Sequence, residues 1–147
     1  MTELADFARV AAKDCGLCIA STLRPDGTIH SSLVNAGVLG HPVLGHDVAA
    51  YVAIGGSRKL VHLRQRPQGT LTARAGLEWA SVDGEVEIIG PDDPRPGVDA
   101  EGLRLLLRAI FTAAGGTHDD WPTYDRVMAE ERRAAVLITP KRVYSNS

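Results

Sequence analysis

Alternating polar and apolar residues make residues 79–89 the clearest strand of the chain. Residues 85–88 read Glu-Val-Glu-Ile, which is the pattern of a strand with one dry face and one wet face. Asp83 and Gly84 lie inside this run, and a glycine inside a strand often marks a bulge, so we predict a bend there. Other apolar or alternating runs predict strands at residues 17–23, 29–35, 49–54, 70–75 and 134–144.

Four other segments have apolar residues at helical spacing. They cover residues 2–16, 57–65, 100–116 and 121–133. Thr2 can cap the first helix, and Gly16 can take the left-handed conformation that stops it. Pro122 is compatible with the first turn of the last helix. Because the strands cluster and the helices are segregated from them, the order favours an α+β or barrel-like fold in a single domain, residues 1–147.

Three segments carry turn chemistry instead of periodicity. Residues 24–28 contain Pro25 followed by Asp26 and Gly27, which predicts a hairpin turn. Residues 37–47 are rich in glycine and histidine, and we predict that they end the second strand. Residues 90–99 are rich in proline, glycine and aspartate and are interpreted as a linker.

The composition is that of an ordinary globular domain, with 147 residues, 44% of them apolar, 23% charged, and a formal net charge of −2. No stretch combines basic and aromatic residues, so we expect no nucleic-acid partner. No apolar run reaches the length of about 20 residues that a membrane span needs. The first residues are partly acidic and lack an apolar signal core, so a cytoplasmic location is the expectation.

The cysteines and most of the histidines carry little chemical signal. Cys15 and Cys18 form a CxxC, but no second ligand pair exists, so we expect no metal site and interpret them as small residues at a helix-to-strand junction. No GxSxG elbow is present, and no catalytic residue can be named. His30 alternates with Ser32 and Val34 along one strand face. That face either carries a ligand or is an outward polar face.

The stretch Ile54-Gly55-Gly56-Ser57-Arg58-Lys59 joins an apolar strand to a helix. Glycines without a Cβ allow a ligand to approach the backbone, and Ser57 is a good helix N-cap. A helix start attracts anions, whereas two cations in the first turn are mildly unfavourable for the helix alone. Local physics leaves two alternatives open, namely a tight turn with solvated cations and an anion site.

Four segments, at residues 21–37, 51–67, 79–89 and 120–144, resemble in order the pyridoxamine phosphate oxidase-like split-barrel superfamily. They are most similar to its branch of F-420 (deazaflavin)-dependent oxidoreductases, the B-type group. The resemblance runs from about Leu17 to Tyr144. It implies a six-stranded antiparallel split β-barrel with peripheral helices, and a homodimer with two cofactor clefts at the subunit interface.

The resemblance also implies roles for individual residues. Those that would hold the cofactor phosphate are Ser57, Arg58 and Lys59. Those that would line the approach to it are Ile54, Gly55 and Gly56. Those that would lie along the cofactor ring are His30, Ser32 and Val34. Trp79 would come across the dimer interface from the other subunit.

The expected function is hydride transfer from reduced F-420 to a conjugated organic acceptor. The second strand lacks the basic pattern of the true pyridoxamine phosphate oxidases, and their arginine- and histidine-rich substrate motif is missing after Tyr144, so pyridoxal phosphate synthesis is not expected. The alternatives are an FMN-binding oxidase or reductase of the same superfamily, and a non-catalytic carrier of cofactor, haem or lipid. A cofactor that carries the chemistry leaves little acid–base work to the protein.

Overall fold

The computed structural model describes residues 2–147 as six strands and four helices. The strands are β1 (Leu17–Leu23), β2 (Ile29–Gly40), β3 (Asp47–Ala53), β4 (Gln68–Ala75), β5 (Glu78–Ile89) and β6 (Ala134–Ser145). The helices are α1 (Leu4–Ala12), α2 (Arg58–Gln65), α3 (Ala100–Ala113) and α4 (Trp121–Glu130).

The six strands form a closed antiparallel barrel in the order β1-β2-β3-β6-β5-β4. This confirms the α+β barrel that the resemblance implied. Strand β2 changes partner halfway along. Its residues Ile29–Asn35 pair with β1, whereas Ala36–Gly40 pair with β3. The first half of β2 therefore has no strand partner on its β3 side and is the open half of the strand, whereas the second half closes the barrel.

The second strand is longer than predicted, because it continues through Gly37 to Gly40. Gly37 lies against the end of α3, where an added Cβ would come within 2.3 Å of the Ala113 carbonyl carbon. The glycine is thus required by close packing and does not mark a turn. The turn that follows is shorter, and its Gly45 has a φ of +83°. Strand β3 begins at Asp47, two residues before its predicted start.

An irregularity is found where the sequence predicts one, at Asp83 and Gly84, but its extra residue is Lys141 of β6 and not a residue of β5. The register between β5 and β6 shifts at Asp83 and Gly84. A Cβ at Gly84 would lie 1.9 Å from the Thr139 carbonyl oxygen, so only glycine fits where the two strands approach each other. Such a bulge increases the local bending that a small barrel needs to close.

The junction between α1 and β1 differs in part from its prediction. Glu3, and not Thr2, occupies the N-cap, in a reciprocal capping box with Asp6, while the Thr2 hydroxyl bonds to Ser145. Gly16 ends the turn with a φ of +75°, as predicted. Both cysteines are free thiols, and burial raises the pKa of Cys18 to about 12, which leaves it an unreactive core residue.

Apolar residues pack on both sides of the barrel wall. In β6, Val136 belongs to the interior cluster, whereas Leu137 belongs to the cluster covered by α3 and α4. Helix α2 contributes Leu60 and Leu63 to the interior cluster, and both side chains are fully buried. Burying two leucines contributes about 3–6 kcal/mol, enough to hold a helix of eight residues in a fixed place.

Helices α3 and α4 are joined by a carboxylate shared between two arginines. Arg108 Nε donates to Asp125 Oδ1 at 2.9 Å, and Arg104 Nη1 donates to Oδ2 at 2.9 Å. The hydrogen bonds from Arg108, and then those from Arg104, lower the pKa of Asp125 to about 2. Because the pKa is lower in the folded state, this carboxylate stabilises the fold above about pH 4.

We expect Asp125→Asn to lower the free energy of unfolding by about 2 kcal/mol at pH 7, from the size of that pKa shift. The deficit should shrink as the pH falls from 5 towards 3, because the Asp125 carboxyl of the unfolded chain then takes up a proton while that of the folded protein is still largely ionised. Urea denaturation at both pH values measures it. The exposed Asp119→Asn serves as the matched control, and an equal loss in the two variants would contradict this assignment.

Candidate functional site

The turn from β3 to α2 consists of Ile54, Gly55 and Gly56, and each of the two glycines is required for a different physical reason. The Gly55 N–H donates to the Glu131 carbonyl at 3.0 Å, and an added Cβ would lie 2.7 Å from the Arg132 carbonyl oxygen. Gly56 has open space around it but a φ of +79°, which L side chains rarely adopt. Close packing at Gly55 and the positive φ at Gly56 together set the direction in which α2 begins. Ile54 is exposed beside them.

Ser57 occupies the N-cap position of α2, but its side chain makes no capping hydrogen bond, contrary to the prediction. Its Oγ is instead buried without any hydrogen-bond partner. The first N–H groups of α2 consequently receive no side-chain cap. A buried hydroxyl without a partner costs about 1–3 kcal/mol, so a bound group that bonds to it would stabilise this arrangement.

Four basic residues on or beside α2 lack a carboxylate partner within residues 2–147, although Arg64 on the same helix pairs with Asp93. Ten of the sixteen lysines and arginines form ion pairs within residues 2–147. Four of the remaining six lie on or beside α2, and they are Arg24, Arg58, Lys59 and Arg66. Lys59 is half-buried, and its pKa is lowered by burial and then by the nearby charge of Arg133. This end of the barrel thus carries uncompensated positive charge.

The strand face with His30, Ser32 and Val34 points into the barrel, which overturns the alternative of an outward polar face. The outward positions are taken by their neighbours, and Ile29 and Leu33 are more than 60% exposed. His30 Nδ1 and Ser32 Oγ are buried without a hydrogen-bond partner, whereas Val34 packs in the interior cluster. These two polar side chains lie on the half of β2 that has no partner on its β3 side.

His62, on α2, was not among the residues that the sequence pointed to. It is only 2% exposed, and its Nδ1 lies 3.0 Å from Thr22 Oγ1 on β1. Its ring meets that of His30 edge-on, with centroids 5.3 Å apart and planes at 74°. Burial lowers the pKa of His62, and nearby His30, Arg58, Arg24 and Arg66 lower it further. Helix α2 is therefore tied to both β1 and β2 beside the open half of β2.

Most of the unsatisfied polar atoms of the protein gather in this cleft between β2 and α2. Among residues 2–147, four buried side-chain atoms lack a hydrogen-bond partner, and three of them are His30 Nδ1, Ser32 Oγ and Ser57 Oγ. Together with the unpaired cations of α2, they fit a ligand that has an anionic end and a ring with polar edges. The first turn of α2 and Ser57 suit the anion, and His30 and Ser32 suit the ring.

Trp79 does not join this cluster within one chain. Its neighbours Ala80 and Val82 are fully buried in the interior, so Trp79 lies on the outer face of β5. Its ring meets that of Tyr144 edge-on at 6.0 Å. A contribution of Trp79 to the cleft of a second subunit stays a prediction.

Two cavities adjoin the region. One of about 320 Å³ lies at the end of the barrel and borders the cleft through Thr22 and Ile29. Another of about 560 Å³ lies between residues 90–99, α3 and α4, and reaches Arg133. Over the described part of the chain, no cluster of three histidine, cysteine or acidic side chains could hold a metal ion. None of the four helices is long and apolar enough to cross a membrane.

Comparison with known proteins finds no matching family model and no matching curated protein. Solved structures do match. The conserved hypothetical protein Rv2991 from Mycobacterium tuberculosis is 19% identical, with a TM-score of 0.67 over 99% of this chain and 84% of that one. A structure described as an F420 reductase is 16% identical, with a TM-score of 0.60 over 87% of this chain and 88% of that one.

A third match is a pyridoxamine 5′-phosphate oxidase-related, FMN-binding protein from Nostoc punctiforme. It is 13% identical, with a TM-score of 0.65 over 99% of this chain and 86% of that one. Such identities establish the architecture and leave the ligand open. The barrel order, the parting of β2 from β3 and these matches agree, and the chain has the fold of the pyridoxamine 5′-phosphate oxidase-like split-barrel proteins.

Proposed function

We propose that the protein is an oxidoreductase that binds a phosphate-bearing deazaflavin or flavin in the cleft between β2 and α2, with F-420 as the first candidate. The gathering of His30 Nδ1, Ser32 Oγ and Ser57 Oγ, buried and unpartnered beside unpaired cations, carries this proposal. A ligand with a phosphate and a polar-edged ring satisfies all of these groups at once.

The phosphate would bind at the start of α2. There the Ser57 hydroxyl and the uncapped N–H groups donate hydrogen bonds, and Arg58 and Lys59 neutralise charge. A bound phosphate anion would also offset the desolvation of Lys59 and raise its pKa towards the ordinary value. The two cations that disfavour the first helical turn by themselves would thereby become favourable.

The ring would lie along β2, where His30 and Ser32 face its polar edge and Val34 gives an apolar surface. When bound, the cofactor supplies hydride transfer, and the chain supplies position and exclusion of water. This fits the small number of acid–base groups in the cleft. We propose His30, which lies on the ring side of the cleft, as the side chain that would hold a proton near an acceptor.

The choice of F-420 over FMN rests on the resemblance of the four segments to F-420-dependent oxidoreductases and on the likeness to the F420 reductase structure. FMN is the alternative, supported by the likeness to the FMN-binding structure. The phosphate site suits both. The identity of the ring is therefore the part of the proposal that a binding measurement must decide.

A second copy of the chain would complete the site. The outer face of β1 and β2 exposes Leu17, Ile19, Ile29 and Leu33, and Ile19 pairs directly across the strands with Leu33. The serine pair Ser21–Ser31 lies between the Ile19–Leu33 pair and Ile29 on this face. Several exposed apolar side chains on one face of a sheet, with a few polar ones among them, are typical of a subunit interface. In a homodimer formed through this face, Trp79 of the partner subunit would approach the cleft.

If two subunits associate through this face, a charged residue introduced there should separate them. We expect Leu33→Asp to convert a dimer into a monomer in analytical ultracentrifugation and to weaken cofactor binding, because burial of a carboxylate among apolar side chains is strongly unfavourable. Leu105→Asp, on the exposed side of α3, is the matched control and should leave the dimer intact. A wild-type monomer, or a dimer in both variants, would contradict the proposed interface.

The phosphate site predicts a selective effect of Lys59. We expect Lys59→Ala to weaken binding of F-420 and FMN about tenfold or more, because a charge-assisted hydrogen bond contributes about 1.5–3 kcal/mol, and to affect riboflavin, which has no phosphate, much less. Fluorescence titration measures all three. Lys13→Ala, whose lysine pairs with Glu78 far from α2, is the control. Equal losses for riboflavin and FMN would argue against a phosphate at Lys59.

The redox activity is tested by mixing the protein with reduced F-420 or reduced FMN, without oxygen, and a panel of quinones, tetrapyrroles and enones. We expect acceptor-dependent oxidation of the reduced cofactor, faster with F-420 than with FMN. Tight binding of F-420 with no acceptor reduced would instead indicate a carrier. Faster oxidation with FMN would reassign the cofactor.

A further inference from the structure

We propose that His62 is a positioning residue: together with Thr22, it fixes the rotation of the His30 ring, so that His30 presents Nδ1 to the cleft. The part of this inference that concerns the bound ring rests on the proposed function. The part that concerns His30 in the ligand-free protein does not.

His62 is itself held rigidly. The neighbouring Leu60 and Leu63 are buried in the barrel interior, so α2 has no freedom to turn about its axis. Its Nδ1 is hydrogen-bonded to the hydroxyl of Thr22, a residue that is also only 2% exposed. The bond joins α2 to β1 across the interior, and His62 makes no other side-chain hydrogen bond within residues 2–147.

The surroundings of His62 favour an uncharged ring. The groups that face it are Thr22 on β1, His30 on β2, Arg24 at the hairpin, and Arg58 and Arg66 at the two ends of α2. In the part of the chain that the structure describes, residues 2–147, no carboxylate pairs with any of them. Burial, followed by the repulsion from these basic groups, lowers the pKa of His62, so its imidazole stays neutral at pH 7.

The contact with His30 gives this rigidity a consequence in the cleft. The two rings pack edge to face at 5.3 Å, and His30 and Thr22 are cross-strand partners on β1 and β2. The ring of His30 therefore packs against His62, whose position is fixed by the buried leucines of α2 and by the hydrogen bond to Thr22. Its Nδ1, buried and unpartnered, is left as the atom available to a ligand.

The hydrogen bond between His62 and Thr22 could also serve only to hold α2 on β1. A measurement at His30 is therefore needed to distinguish a positioning role from a purely structural one. The variants are Thr22→Val, which removes the hydroxyl at nearly constant volume, His62→Phe, which keeps a ring but loses the bond, and Thr22→Ser, which restores the hydroxyl. Thr112→Val on the exposed side of α3 is the control. Urea unfolding identifies any variant that no longer folds.

The first measurement is the orientation of the His30 ring in the ligand-free protein, from nuclear Overhauser effects between the ring protons of His30 and those of the aromatic ring at position 62. We expect one fixed ring orientation in the wild type, in Thr22→Ser and in Thr112→Val, and signals averaged over several orientations in Thr22→Val and His62→Phe. If Thr22→Val, once shown to be folded, leaves the His30 signals unchanged, the positioning role is wrong.

The second measurement is the affinity for riboflavin and FMN. We expect Thr22→Val and His62→Phe to weaken both by the same factor, about three- to tenfold, because they act on the ring and not on the phosphate. Lys59→Ala should weaken FMN alone. Unchanged affinities in both His62-side variants would overturn the inference. Failure of the wild type to bind F-420, FMN or riboflavin would overturn the proposed function, and the His30 spectra would still decide the positioning role.

Discussion

Burial of Leu60 and Leu63 inside the barrel determines where the first turn of α2 lies. The helix has only eight residues and would not be stable alone in water, so its place depends on these two side chains. They anchor it beside the half of β2 that has no partner on its β3 side. The cations of its first turn are consequently fixed next to the inward polar residues of β2.

In this arrangement, buried polar side chains lack hydrogen-bond partners at inward positions that are mostly apolar elsewhere in the barrel. His30 and Ser32 could be replaced by apolar residues with a gain in stability, and Ser57 forgoes the capping bond that its position allows. Elsewhere most charged side chains form ion pairs, as Asp125 does with Arg104 and Arg108. A local departure from such consistency is typical of a ligand site, and here the missing partners are those that a phosphate and a polar-edged ring provide.

The sequence predicted those structural elements that are determined by neighbouring residues in the chain. The alternation of residues 85–88 is found in β5, where Val86 and Ile88 pack against the interior cluster. The register shift lies at Gly84 as predicted, although the extra residue belongs to β6. The extension of β2 through Gly37 was not predicted, because the need for a glycine there comes from α3, more than seventy residues later. The same holds for His62. Nothing in the helical pattern of residues 57–65 reveals that Thr22 and His30 lie beside it.

For the candidate site, the sequence grouped the right segments but left the orientation open. The inward direction of His30 and Ser32 depends on the pairing of β2 with β1, and the uncapped state of Ser57 depends on tertiary packing. Trp79 lies on the outer face, so a single chain gives no information on its approach to the cleft. That part depends on how two copies meet.

Hydrogen–deuterium exchange with and without F-420, repeated with FMN, tests the central claim most directly. The first amides of α2 are uncapped and should exchange fast in the free protein. We predict that the cofactor protects the amides of residues 57–60 and of residues 30–34 together, with more protection by F-420 than by FMN. Protection confined to the cavity between α3 and α4, or none at the start of α2, would contradict the account.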